Sequence, residues 1–276
     1  MKKIICCFLL LFTVGCGRQL RKQSSDWLEA GQGVAEQKGD SARGRVLYNA
    51  NCAVCHGTAG DGNGPRAASL NPRPRNFVSG EYKFKTTERD EPPSDLDLFR
   101  TITVGIPGTA MSGASKLSEK ERWDLVAYIK SLAKDPATHK NIFQSNHDRH
   151  ILKIEEPGFK SVGREARIKA GETLFFSKGK CYECHGPGPS SRDRLPQGDG
   201  SLANGLVDDW GFPIRPTNLA GGVLKRGNDP KEIYLTLTTG LMGTPMPSFI
   251  DTLTDEERWN LAYYISNLNR THKEQK

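Results

Sequence analysis

The sequence predicts an all-α protein built from two tandem domains of one kind. Three observations predict it: an internal repeat that spans most of the 276 residues, helix-start signals at matching places in both copies, and an abundance of loop residues. The repeat is read directly from the chain. Gly44-Arg45-Val46-Leu47-Tyr48 matches Gly171-Glu172-Thr173-Leu174-Phe175, and Arg73-Pro74-Arg75-Asn76-Phe77 matches Arg215-Pro216-Thr217-Asn218-Leu219. Gly105-Ile106-Pro107-Gly108-Thr109-Ala110-Met111 matches Gly240-Leu241-Met242-Gly243-Thr244-Pro245-Met246, and 117–123 matches 253–259. The offset varies between 127 and 142 residues, so insertions separate the matches without changing their order. With 29 glycines and 16 prolines, long loops are expected and a large sheet-rich core is not.

Taken in order, the chain begins with Met1-Lys2-Lys3 and an apolar run over 4–14, the pattern of an export signal and too short to span a bilayer. The run ends Thr13-Val14-Gly15-Cys16, which resembles a bacterial lipobox and implies cleavage after residue 15 and a lipid on Cys16. Thr13 departs from the usual Leu, and ordinary signal cleavage nearby is the alternative. Residues 16–37 then read as a tether, 38–134 and 163–270 as the two domains, 135–162 as a polar connector and 271–276 as a tail. Within each copy three helices are predicted. One leads into a cysteine motif and a second covers about 95–103 and 230–238, assigned by repeat logic because 230–238 is rich in β-branched residues. The last starts at the capping boxes Ser118/Glu121 and Thr254/Glu257 and continues with amphipathic spacing.

The chemistry lies in the cysteines. Cys52-Ala53-Val54-Cys55-His56 and Cys181-Tyr182-Glu183-Cys184-His185 are both C-x-x-C-H, the attachment motif of c-type haem. Each thiol adds to one of the two haem vinyl groups, and the following histidine, His56 or His185, becomes the proximal iron ligand. A four-cysteine zinc site has its pairs roughly 15–20 residues apart, and here they are 129 apart. A thioredoxin-like motif wants a βαβ setting that is absent, and a C-x-x-C loop is too short to be a useful disulfide staple. Two covalently attached haem c groups are therefore expected.

The order of helix, C-x-x-C-H, long loop, short helix, methionine loop and terminal helix resembles class I cytochrome c, in two copies over about 200 residues. That resemblance implies that first and last helices cross at Gly44/Tyr48 with Leu125/Tyr128, and at Gly171/Phe175 with Leu261/Tyr264. It implies Met111 and Met246 as distal ligands, with a core methionine as the alternative and Met242 as a competitor for the second site. It also implies that a backbone carbonyl near Pro65 orients the first proximal imidazole. Arg73, Arg75 and Arg215 are candidates to meet the haem carboxylates or to be solvated loop residues. His139, His147 and His150 read as exposed connector histidines, with the alternative that one of them is an iron ligand, and His272 as a tail residue without a role. The 187–213 loop, with Asp208-Asp209-Trp210, either contacts a partner or covers a haem edge.

A composition of 36% hydrophobic and 26% charged residues excludes a polytopic membrane protein and wholesale disorder. The net charge of +7 comes from mixed charges with no long basic run, so nucleic acid is not an expected partner. The expected function is that of an exported di-haem cytochrome passing single electrons between redox proteins on the periplasmic side of a bacterial envelope. It is expected to be lipid-anchored, leaning to the outer membrane because Gly17 follows Cys16. No small-molecule substrate is evident and no catalytic residues are assigned. The alternatives are a di-haem enzyme, peroxidase-like or thiosulfate-oxidising, and a fixed cytochrome subunit of a larger complex. Both enzyme readings sit poorly with a methionine at each distal position and no cysteine left over beyond Cys16.

Overall fold

The computed structural model describes residues 27–144, 149–158, 163–186, 205–220 and 222–274. The signal, Cys16, His147, most of the 187–213 loop and the side chain of His272 lie outside them. Eight helices are described: α1 (Ser41–Asn51), α2 (Ala53–His56), α3 (Asp95–Val104), α4 (Glu119–Leu132), α5 (Arg164–Phe176), α6 (Tyr182–His185), α7 (Pro230–Thr239) and α8 (Asp255–Glu274). Among the described residues strand-like pairing is limited to three isolated bridges, so the protein is all-α. Among the described residues each copy shows four α-helices rather than the three expected, because the cysteine motif itself closes one helical turn.

The helix starts follow from local chemistry. Asp40 caps α1 by accepting from the backbone of Ala42 and Arg43. Ser118 and Glu121 form the reciprocal capping box of α4, and Thr254 and Glu257 do the same for α8. The 95–104 and 230–239 segments are helical despite their β-branched residues. Ser94 and Asp97 make a capping box for α3, and Asp229 with Pro230 at the first position starts α7. Their Thr hydroxyls back-bond to the preceding turn, as Thr101 does to Asp97 and Thr238 to Tyr234.

Helix α1 crosses α4, and α5 crosses α8, with the backbones in near contact. A Cβ on Gly44 would lie 1.9 Å from the Asp124 carbonyl oxygen, and one on Gly171 would lie 2.0 Å from that of Asn260. One turn on, Tyr48 meets Tyr128 with ring centroids 5.1 Å apart, and Phe175 meets Tyr264 at 5.5 Å. The terminal helix also stacks on the middle one in both copies, Trp123 on Phe99 at 4.4 Å and Trp259 on Tyr234 at 4.3 Å. Asp124 is fully buried at the first crossing, accepting from the Asp40 backbone at 2.7 Å and paired with Lys120 and Arg43.

The described parts of the segments read as tether and connector, 27–37 and most of 135–158, make specific contacts with the two halves. Trp27 is 1% exposed: its backbone donates to Arg226, its indole donates to Thr101 Oγ1 at 2.8 Å, and Arg100 and Arg226 stack on its ring. The Leu28 amide donates to the Glu232 carboxylate. Trp27, Phe84 and Leu235 thus form a small core where the two halves meet. The connector lies along the first half, where Leu152 bonds to Thr86, and then reaches the second, where Glu156 accepts from the Tyr263 hydroxyl at 2.6 Å. An indole buried between two guanidinium groups gains both apolar burial and cation–π attraction, which is why this stretch docks.

Gly171→Ala should lower stability by about 3 kcal/mol or more, because the added methyl meets helix backbone and cannot be relieved by a rotamer change. Chemical denaturation of the holoprotein checks this, and Ala170→Gly on the same helix is the control expected to lose only about 1 kcal/mol.

Candidate functional site

Helix α1 runs into Cys52, its C-terminal cap, and the single turn of α2 carries Cys55 and His56. Cysteines three apart in one helical turn share a face, so both thiols approach one flat partner. Tyr48, held at the helix crossing, donates to the Gly57 carbonyl at 2.8 Å and so ties the motif to that crossing. Gly57 and Gly186 follow the two histidines with φ of 78° and 77°, the left-handed turn that sends the chain away from the ring. Neither motif pair is closed as a disulfide, and before attachment burial pushes the Cys52 thiol up to about 11 and the Cys181 thiol up to about 12.

The imidazoles of the two cysteine motifs are oriented alike. His56 Nδ1 lies 2.9 Å from the Arg75 carbonyl oxygen, and His185 Nδ1 lies 2.9 Å from that of Thr217. A carbonyl can only accept, so the proton sits on Nδ1 and the Nε2 lone pair faces the site. Desolvation lowers both imidazoles below the usual histidine range, against the pull of the backbone bond, and keeps them neutral. Phe77 stacks on the His56 ring at 4.4 Å. The expectation that Pro65 supplies the orienting carbonyl is corrected. Gly64 packs directly on the α2 backbone and bonds to Cys55, leaving Pro65 exposed, while the Phe77 amide bonds to Gly60 and brings 74–77 across the imidazole. Arg75 and Thr217 are equivalent positions of the repeat, so the matched Arg-Pro-x-Asn segments carried the signal.

In the second half a cavity of about 420 Å³ is lined by Cys181, Cys184 and His185 on one side and by Met246, Leu237 and Ile265 on others. Met242 is not among its lining residues. The methionine loops share one construction: Ile106 bonds to the Met111 carbonyl and Leu241 to that of Met246, while Thr109 and Thr244 hydroxyls accept from the methionine amides. Attachment thiols, a neutral imidazole, a thioether and an apolar cavity are a donor set that fits haem c.

The remaining candidates are placed as follows. Arg73 stacks on Phe212 at 4.5 Å and Arg75 on Trp210 at 4.2 Å, while Trp210 in turn covers Gly243 of the methionine loop. The described part of the 187–213 loop therefore joins the two halves of the chain. Arg215 lines the second cavity. His139 is exposed, and His150 is exposed and paired with Glu91 at 2.7 Å. Sequence reasoning missed Lys83, Phe84 and Lys225, which also line the second cavity. Lys83 and Lys225 stand eight residues after Arg75 and Thr217, so the repeat offset could have found them.

Fold and site together define a covalent haem-binding protein of the c type. The sequence model of the cytochrome c family matches residues 41–133, and that of cytochrome c oxidase, cbb3-type, subunit III matches 166–265. The chain is 34% identical to cytochrome c-554(547) of Halothiobacillus neapolitanus over 98 residues, covering 34% of this chain and 98% of that one. It is 27% identical to the cbb3-type cytochrome c oxidase subunit CcoP of Azospirillum brasilense, over 82% of this chain and 61% of the relative. Among solved structures it is similar to a chain of the reducing HAO-like protein complex of Kuenenia stuttgartiensis. That match has TM-score 0.72 and 36% identity and covers 85% of this chain and 99% of the other. The chain belongs to the cytochrome c family and is a tandem di-haem c-type cytochrome that carries electrons.

Tyr48→Phe should cost about 1 kcal/mol, the net worth of one hydrogen bond, without loss of the first haem. The second copy has Phe175 at this position, so the ring alone suffices for packing. Denaturation followed at the haem absorbance, with a haem count per chain, checks both parts.

Proposed function

We propose that the protein is an exported electron carrier that moves single electrons between redox proteins and performs no chemistry on a substrate. In this reading Cys52 and Cys55 hold the first haem and Cys181 and Cys184 the second, with His56 and His185 as proximal ligands and Met111 and Met246 as distal ones. The domains are 38–134 and 163–270. Haem c supplies a one-electron couple, and a histidine–methionine pair would raise its potential and close the iron to exogenous ligands, leaving outer-sphere electron transfer. The observation that carries the reading is the second cavity, where His185 and Met246 line one apolar space with both attachment thiols. The chain's residues do the rest: the Thr217 carbonyl orients the imidazole, and buried Leu237 and Ile265 exclude water. No helix among the described residues is long and apolar enough to cross a membrane, and attachment in this reading is through a lipid on Cys16 at the periplasmic face.

Permanent residence in a larger complex is the second reading. It is supported by the similarity to a chain of the reducing HAO-like complex along 99% of that chain, and by the match to CcoP. A long-lived high-mass species on native purification would favour it over a freely diffusing carrier.

Acid-acetone extraction should leave two haems on the polypeptide, seen as two mass additions. Met111→Ala should turn one haem high-spin or water-ligated and Met246→Ala the other, each leaving its neighbour's spectrum intact. A second haem that stays low-spin in Met246→Ala would mean that another residue, Met242 first, is its ligand. The unmutated protein should show little peroxidase turnover, and rapid turnover would favour the enzyme reading. Cys16→Ser should move the protein from the membrane to the soluble fraction with both haems kept, and unchanged fractionation would point to attachment through a partner.

A further inference from the structure

The second cavity has a wall that its own half does not supply. Lys83 and Phe84, from the loop after the first half's Arg-Pro-x-Asn segment, line it together with Lys225 and Arg226. Lys83 and Lys225 are repeat equivalents, each eight residues beyond the carbonyl that holds a proximal histidine. The pseudo-symmetry of the chain thus brings matching lysines to one place at the seam. Neither ammonium has a hydrogen-bond or ion-pair partner among the described residues. Arg226, by contrast, is paired with Glu232 at 3.3 Å.

Such an arrangement is costly as it stands. Desolvation lowers Lys83 to about 7, with Arg75 and Lys225 adding repulsion that Asp208 only partly offsets. Desolvation lowers Lys225 as well. Two half-buried ammonium groups that repel each other beside an apolar cavity lack an anion of matching position. Haem brings one: its two carboxylates form the only charged edge of an otherwise apolar disc.

We infer that Lys83 and Lys225 together grip the carboxylates of the second haem, so that this haem is held at its anionic edge by one residue from each half of the chain. The inference rests on the reading that the second haem occupies the cavity of His185 and Met246. Two consequences follow. Loading the second haem fastens the halves to each other, since the cation from the first half meets its counter-ion only then. The potential of the second haem depends on a residue of the first half, because a nearby cation favours the ferrous state, which carries one positive charge fewer.

The test is a potentiometric titration of the holoprotein beside Lys83→Gln, Lys225→Gln and Lys83→Arg. The two waves are assigned with Met246→His, whose second haem titrates at lower potential. A haem count and the ferric spectrum come first: an absent second haem, or one without methionine ligation, is a failure of the ligation reading and is seen before any potential is measured. With both haems in place, each Gln variant should shift the second haem towards ferric on the order of tenfold, about 59 mV for one electron. Lys83→Arg should keep most of the potential. A second haem unmoved by Lys83→Gln overturns the inference, whether or not the first haem moves. If Lys83→Gln fails to load haem, Lys83→Arg retains the charge but alters the hydrogen bonding. The propionate bending bands of the second haem in resonance Raman spectra should then shift, and unshifted bands overturn the inference too.

Discussion

The site geometry in each half hangs on two helix backbones brought into contact at a glycine. Where Gly44 lies against Asp124 and Gly171 against Asn260, no side chain can intervene, so the crossing is set by backbone sterics rather than by adjustable packing. The cysteine motif begins just beyond the end of one helix of that pair, and the other helix supplies Ile265 to the cavity wall. A displaced crossing would therefore move thiols and imidazole relative to the opposite wall together. The aromatic pairs beyond the glycines, Tyr48 with Tyr128 and Phe175 with Tyr264, fix the remaining rotation.

A constraint of this kind is legible in sequence because it admits few residue types. The crossing glycines, their aromatic followers, the C-x-x-C-H motifs and the capping boxes each need a particular side chain, or none, and each recurs in both copies. The α3 and α7 segments were legible only through the repeat, since their β-branched residues pull a local reading towards strand while capping and burial decide for helix. The acceptor for His56 was expected near Pro65 and lies instead at Arg75; a backbone carbonyl leaves no trace in its own residue type, and only the matched Arg-Pro-x-Asn segments of the repeat mark its place. Arg75 and Thr217 differ in side chain yet do the same work through their main chains.

Contacts between the halves were the least legible. They join positions that no motif singles out, such as Trp27 with Thr101 and Arg226, or Arg75 with Trp210, and the repeat gives no guide to contacts between its own copies. Trp27 stood in a stretch that reads as tether, and this one aromatic residue anchors the described part of it by finding a buried site.

The seam explains its own composition. Guanidinium groups dominate it, and they are covered by aromatic faces: Arg73 by Phe212, Arg75 by Trp210, Arg100 and Arg226 by Trp27. Stacking removes the weakly hydrated face of a guanidinium from water at small cost and leaves its edge free for hydrogen bonds. An ammonium has no such face. It stays costly when buried until a counter-ion arrives, and of the lysines that line the cavity Lys83 and Lys225 are the half-buried ones, Lys180 being exposed. The seam thus separates cations that suit docking of the bare chain from cations whose burial makes sense once an anion sits beside them. A chain organised this way docks its halves through arginine and tryptophan, and holds its lysines where the charge of a redox cofactor can meet them.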